Sequence, residues 1–132
     1  MLTFLESSKT DSGKKGEKMQ DCLFCKIVSR KIHAKIVYED KDVMAFEDIN
    51  PQAPVHTLVI PKKHISTTLD IKEGDNALVG NLFQIAGRIA AEKGIAERGF
   101  RLVVNTNPEA GQTVYHIHLH LLGGRYMHWP PG

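Results

Sequence analysis

Near its C-terminal end the chain reads Tyr115-His116-Ile117-His118-Leu119-His120-Leu121-Leu122, and this octet constrains the fold more than any other segment. Side chains alternate across a strand, so Tyr115, Ile117, Leu119 and Leu121 share one face while His116, His118 and His120 share the other. Successive histidines then stand ~6.8 Å apart along a strand predicted over 114–122. Three partly buried imidazoles in a row are costly unless each has a partner. Three arrangements fit the pattern. The histidines could be surface groups on an edge strand. They could form a catalytic three-histidine zinc site, two sharing a metal and the third ligand arriving from another strand. Or the middle imidazole could act as a nucleophile, with its neighbours orienting it and binding the charge that develops.

The rest of the chain supplies the partners of that strand. Apolar residues at Leu23, Phe24, Ile27 and Val28 predict a short helix over 22–29. Strands at 35–39 and 43–47 flank Asp40-Lys41-Asp42 as a hairpin, and Asn50-Pro51-Gln52-Ala53-Pro54 is a loop because its prolines fix φ and remove donors. A third strand over 56–60 ends at Pro61. Leu78, Val79, Leu82, Ile85, Ala86 and Ile89 fall at helical spacing within a long helix over 75–93, stopped by Gly94. A strand at 100–104 precedes the histidine strand. This order gives an α+β fold with an antiparallel sheet, five strands, one long helix and one short helix.

Residues 21–132 are thus expected to form one domain. Residues 1–20 are polar and without periodicity, a flexible arm expected to be dispensable. Seventeen Lys and Arg against fifteen Asp and Glu leave a net charge of +2, too slight for a nucleic-acid binder. No apolar run approaches the ~20 residues that cross a bilayer, and the first residues lack the pattern of a secretory signal. The only two cysteines, Cys22 and Cys25, make no extracellular disulfide framework, so a reducing cytoplasm is the expected compartment.

The histidine octet resembles the signature of the histidine triad (HIT) family of nucleotide hydrolases and transferases. The likeness extends through Asp48-Ile49-Asn50-Pro51-Gln52-Ala53-Pro54, His56 to Ile65, Gly111-Gln112-Thr113-Val114-Tyr115 and the ending Gly123-Gly124-Arg125-Tyr126-Met127-His128-Trp129-Pro130-Pro131-Gly132. These segments are similar to the Hint branch, and Gly123-Gly124-Arg125 departs from the Pro-Arg typical of the dinucleoside-polyphosphate branch. The resemblance implies a HIT-like fold whose sheet continues across a homodimer, with the C-terminal tail reaching the partner's site. It implies hydrolysis of purine nucleoside 5′-phosphoramidates through a nucleotidyl-histidine intermediate. Its alternatives are a dinucleoside polyphosphate hydrolase or nucleotidyl transferase, and a non-catalytic nucleotide-binding regulator.

By position, the resemblance makes His118 the nucleophile, with His120 on a non-bridging oxygen, His56 completing the cluster and His116 supporting the others. Gly111, Gln112, Thr113 and Asn105 would meet the phosphate, and Asp48, beside Ile49, the ribose hydroxyls. Phe24, Ile27, Ile32 and Phe46 would line the base pocket, with Trp129 as the anchor of the tail. Purine nucleoside monophosphates and phosphoramidates are the implied ligands. The Cys22-x-x-Cys25 pair by itself leaves structural zinc, free thiols and a redox couple open, although no thioredoxin-like βαβ pattern follows it. Relatives with such a pair often complete a zinc site with the residues matching His64 and His116. That zinc would be structural, with no catalytic metal required.

Overall fold

The computed structural model describes residues 21–132; the N-terminal segment 1–20, expected to be an arm, lies outside the described residues. Among the described residues two α-helices and five strands follow in the order α1 (Leu23–Val28), β1 (Ile36–Glu39), β2 (Val43–Glu47), β3 (Val55–Pro61), α2 (Asn76–Glu92), β4 (Phe100–Val103) and β5 (Leu119–Gly123), with short 3-10 turns between them. The strands form one sheet in the order β1-β2-β3-β5-β4, with every neighbouring pair antiparallel. The expected α+β architecture of a five-stranded antiparallel sheet with one long and one short helix is therefore the observed one within the chain.

Local chemistry explains the elements. In the β1–β2 hairpin, Asp40 Oδ1 accepts from the backbone N–H groups of Asp42 and Val43, both at 2.8 Å, an Asx turn that fixes the register. In α2, Leu82, Ile85, Ala86, Ile89 and Ala90 are buried at spacings of three and four, one apolar stripe against the sheet. Gly94 (φ +77°) ends this helix: its N–H reaches Ala91 O while Ile95 N–H reaches Ala90 O, a Schellman closure. Ile85 is fully buried, so truncating it to Ala should cost about 2–5 kcal/mol.

Alternation splits the sheet into two faces. Val43, Ala45, Val59, Ile117, Leu119 and Leu121 pack under α2. Met44, Phe46, Leu58 and Ile60 face the other way, against Cys22, Phe24 and Ile27 of the α1 segment. The histidines open on this second face.

One expectation needs correction. The last strand begins at Leu119, not Val114, and residues 114–116 form a bend. The cause is Pro61, which stands where the β3–β5 ladder would continue toward Ile117. Proline has no N–H to donate, and its carbonyl accepts from the His116 ring at 2.8 Å. Ile117 N–H turns instead to Ile65 O at 2.7 Å. The facing of the side chains survives: Ile117, Leu119 and Leu121 are buried beneath α2, while Tyr115 is only half-buried.

Candidate active site and metal centre

His56, His118 and His120 form one buried cluster beside Phe24, whose ring meets His118 edge-on at 5.0 Å. The hydrogen-bond partners assign a proton to each ring. A carbonyl can only accept, so His118 Nδ1 donates to His116 O at 2.8 Å and its Nε2 keeps a lone pair. Gln52 N–H donates to His56 Nδ1 at 3.0 Å, which puts the His56 proton on Nε2. That proton is directed at His120 Nδ1, 2.9 Å away, with Asp48 Oδ2 at 3.4 Å on its flank. His120 accepts at Nδ1 and therefore carries its own proton on Nε2. This Nε2 is buried and has no hydrogen-bond partner. Two neighbouring rings, 4.9 Å between centroids, thus offer opposite groups: a lone pair on His118 and an N–H on His120.

Burial keeps these rings neutral. Desolvation pushes His120 down to about 3, helped by the like-charge cost of His118 and His56. Desolvation also lowers His118 and His56, opposed in His118 first by the bond to His116 O and in His56 by the Asp48 carboxylate. At neutral pH the His118 lone pair is available, the state a nucleophile requires.

The other residues singled out by sequence are distributed unevenly. Asp48 borders the cluster, and its Oδ1 accepts from Asn50 N–H at 2.8 Å. Phe24, Ile27 and Phe46 are buried in the wall on this face, whereas Ile32 is 37% and Ile49 80% exposed. Thr113 Oγ1 is buried and unpartnered. Asn105 follows β4, and Gly111 takes φ +93° at a turn. Trp129 is 81% exposed and lies under the Arg101 guanidinium at 5.9 Å. Gln112 is buried with its amide fully engaged within the protein. Sequence reasoning missed the Gln52 N–H and the Pro61 carbonyl, because main-chain partners leave no residue-type signal.

A second cluster lies behind the first. The ligand atoms of Cys22, Cys25, His64 and His116 all fall within 4.8 Å of one another. Cys22 Sγ is 3.3 Å and Cys25 Sγ 3.6 Å from His116 Nδ1, and Cys25 Sγ is 3.4 Å from His64 Nδ1. A tetrahedral ion with ordinary zinc–sulfur and zinc–nitrogen bonds needs S···N edges of about 3.5 Å. Proton placement agrees as well. His116 donates from Nε2 to Pro61 O, so the nitrogen facing the thiols is the unprotonated one. His64 Nε2 is met by Ser66 Oγ at 3.3 Å, the outer contact that orients a ligating imidazole. These four residues can hold a metal ion and leave no vacant ligand position in a four-coordinate set.

Asp48, His56 and His120 also lie close together. For His56 Nε2 to bind a metal, its proton would have to move to Nδ1, where the Gln52 N–H already points. Two donors would then face each other. In this respect His56 and His120 are unlike the cysteine cluster, and proton placement disfavours a metal among the histidines.

A five-stranded antiparallel sheet whose last strand and the segment leading into it carry three buried histidines, beside a fourth from a central strand, defines a histidine triad protein. Residues 29–127 match the HIT domain family, and the chain belongs to it. It is 49% identical over 106 residues to the purine nucleoside phosphoramidase of Escherichia coli K12, covering 80% of this chain and 89% of that protein. It is 53% identical over 113 residues to an uncharacterised HIT-like protein of Synechococcus elongatus, covering 86% of this chain and 98% of the relative. A HIT family hydrolase of Legionella pneumophila Philadelphia 1 superposes with a TM-score of 0.84 at 55% identity, covering 85% of this chain and all of the other. No helix among the described residues is long and apolar enough to cross a membrane.

Proposed function

We propose that the protein hydrolyses purine nucleoside 5′-phosphoramidates at the P–N bond. The observation that carries this is the hydrogen-bond pattern on two adjacent buried rings, which assigns a lone pair to His118 Nε2 and a proton to His120 Nε2. His118 Nε2 attacks the α-phosphorus, forming a P–N(His) bond as the P–N bond to the leaving group breaks and the departing nitrogen takes up a proton; water then cleaves P–N(His), releasing the nucleoside monophosphate and returning a proton. The net reaction consumes one water per phosphoramidate. His120 Nε2–H and Thr113 Oγ1, both buried without partners, meet the phosphoryl oxygens, where fixed donors stabilise charge without reorganisation. Asp48, with lone pairs left beside those given to Asn50, accepts the ribose hydroxyls. The similarity to the E. coli phosphoramidase supports the substrate class.

The cluster of Cys22, Cys25, His64 and His116 holds a structural zinc, which ties the start of α1 to the chain entering β5 and contributes to folding. Residues 21–132 form the catalytic domain, which works as a cytoplasmic homodimer. β4 is an edge of the sheet and exposed Trp129 is available to a second copy. The test is His118→Gly, which should abolish turnover of adenosine 5′-phosphoramidate while retaining adenosine monophosphate binding. Mass spectrometry of the wild type quenched during turnover should find one nucleotidyl group on the peptide containing His118. Wild-type turnover by the variant would falsify the assignment.

A further inference from the structure

Asn107 has φ +70° and ψ 176°, a region that is almost the preserve of glycine. A side chain stays there only when its surroundings hold it; Ala110 N–H donates to Asn107 O at 3.2 Å, and the other bonds come from Gln112. Gln112 Oε1 accepts from Asn107 N–H at 2.8 Å, and the Gln112 backbone N–H donates to Asn107 O at 3.2 Å. The same amide donates from Nε2 to Ser66 O at 2.8 Å and to Val114 O at 3.2 Å. Gln112 is 5% exposed, so these bonds lie out of water and both amide hydrogens are spent. It has no donor left for a ligand. Its neighbour is the opposite case: Thr113 Oγ1 is buried and has no partner.

We infer that Gln112 is a positioning residue that clamps the 107–113 loop in a strained conformation and so holds Thr113 Oγ1 ready for an anion. This rests on the reading of the site as one that binds a nucleoside phosphate. The clamp also crosses between loops. Its bond to Ser66 O fastens the 107–113 loop to the segment whose Ser66 hydroxyl touches His64. Without the amide, Asn107 relaxes toward negative φ and the hydroxyl of Thr113 leaves its place. A clamp predicts a loss confined to the phosphate, because the residues assigned to the base and ribose come from α1, the α1–β1 connection, β2 and the 48–52 loop.

Calorimetry with adenosine and adenosine 5′-monophosphate separates this from a general structural role. Gln112→Ala should weaken the monophosphate at least tenfold and change adenosine by less than about twofold. Gln112→Glu, which keeps the shape but cannot donate to the two carbonyls, should lose as much. Adding Asn107→Gly to Gln112→Ala should restore at least threefold, since glycine accepts the positive φ without a clamp. Equal losses for both ligands, no loss, or no recovery with Asn107→Gly would overturn the inference. If the variants do not fold, hydrogen exchange on the wild type decides: Asn107 N–H should be protected, and exchange at the rate of an open loop refutes the clamp. Should the wild type bind neither ligand, the nucleotide reading fails, and the exchange measurement still reports on the clamp alone.

Discussion

Replacing Thr113 by Val should make the protein more stable and worse at binding its ligand. The hydroxyl Oγ1 is buried without a partner, and an unsatisfied buried hydroxyl costs about 1–3 kcal/mol. Valine keeps the shape and removes the cost, so a gain of ~1 kcal/mol is expected, a rise in Tm of roughly 4 °C for a domain of this size. If the same hydroxyl meets the phosphate, the variant forfeits a hydrogen bond to a charged group, about 1.5–3 kcal/mol or 10- to 100-fold in Kd. Thr57 supplies an internal control. Its Oγ1 is also buried and unpartnered, but it follows Val59 in facing α2, away from the histidines. Thr57→Val should raise Tm similarly and leave adenosine monophosphate binding unchanged. Scanning calorimetry and titration on the two variants complete the test. A fall in Tm for Thr113→Val would mean that the hydroxyl already has a partner in the free protein. A rise in Tm with undiminished affinity would remove Thr113 from the anion site.

Three further outcomes are expected. Metal analysis of protein purified without chelators should give one zinc per chain; Cys22→Ser and Cys25→Ser should each reduce zinc content and Tm before turnover, the bound ion supplying about 4 kcal/mol at a free concentration 1,000 times its Kd. Stability should fall on acidification: the unfolded chain binds a proton on His120 near pH 6.5 and the folded chain only near 3, so each unit between them removes up to ~1.4 kcal/mol, and urea unfolding at pH 7 and pH 5 that gave equal stabilities would contradict this. Truncation after Tyr126, which removes exposed Trp129, should alter leaving-group preference more than nucleotide affinity, and uniform effects across a panel of amines would make the tail merely structural.

Much of this architecture is legible in the residue order. The period of two through Ile117, Leu119 and Leu121 and the spacing of Leu82 to Ile89 reflect burial on one face each, and burial is what hydrophobic pattern encodes. Gly94 marks a helix end for the same local reason. The extent of the last strand was not legible, because it depends on which residue stands opposite Pro61, a tertiary fact. Gln112 illustrates a different limit. Its type and its place after Gly111 suit a phosphate ligand equally well as a buried strut, and only the positions of Asn107, Ser66 and Val114 separate the two. The union of Cys22 and Cys25 with His64 and His116 spans 94 residues, and resemblance to relatives, not spacing, pointed to it.

His116 has no surface to spare: it is fully buried, its Nε2 is given to Pro61 and its Nδ1 faces two thiols. A descendant of this chain that lost the cysteines would inherit a sealed nitrogen without its thiol partners, in the same residue whose carbonyl orients the nucleophile. Drift at Cys22 or Cys25 is therefore not silent. It demands a compensating donor from α1, such as a hydroxyl or amide at the vacated position, before His116 can stay where it is. The N-terminal helix and the first histidine of the triad should thus be exchanged between relatives only as a matched pair, and a chimera that mixes them should misplace His118 although no residue touching substrate has changed.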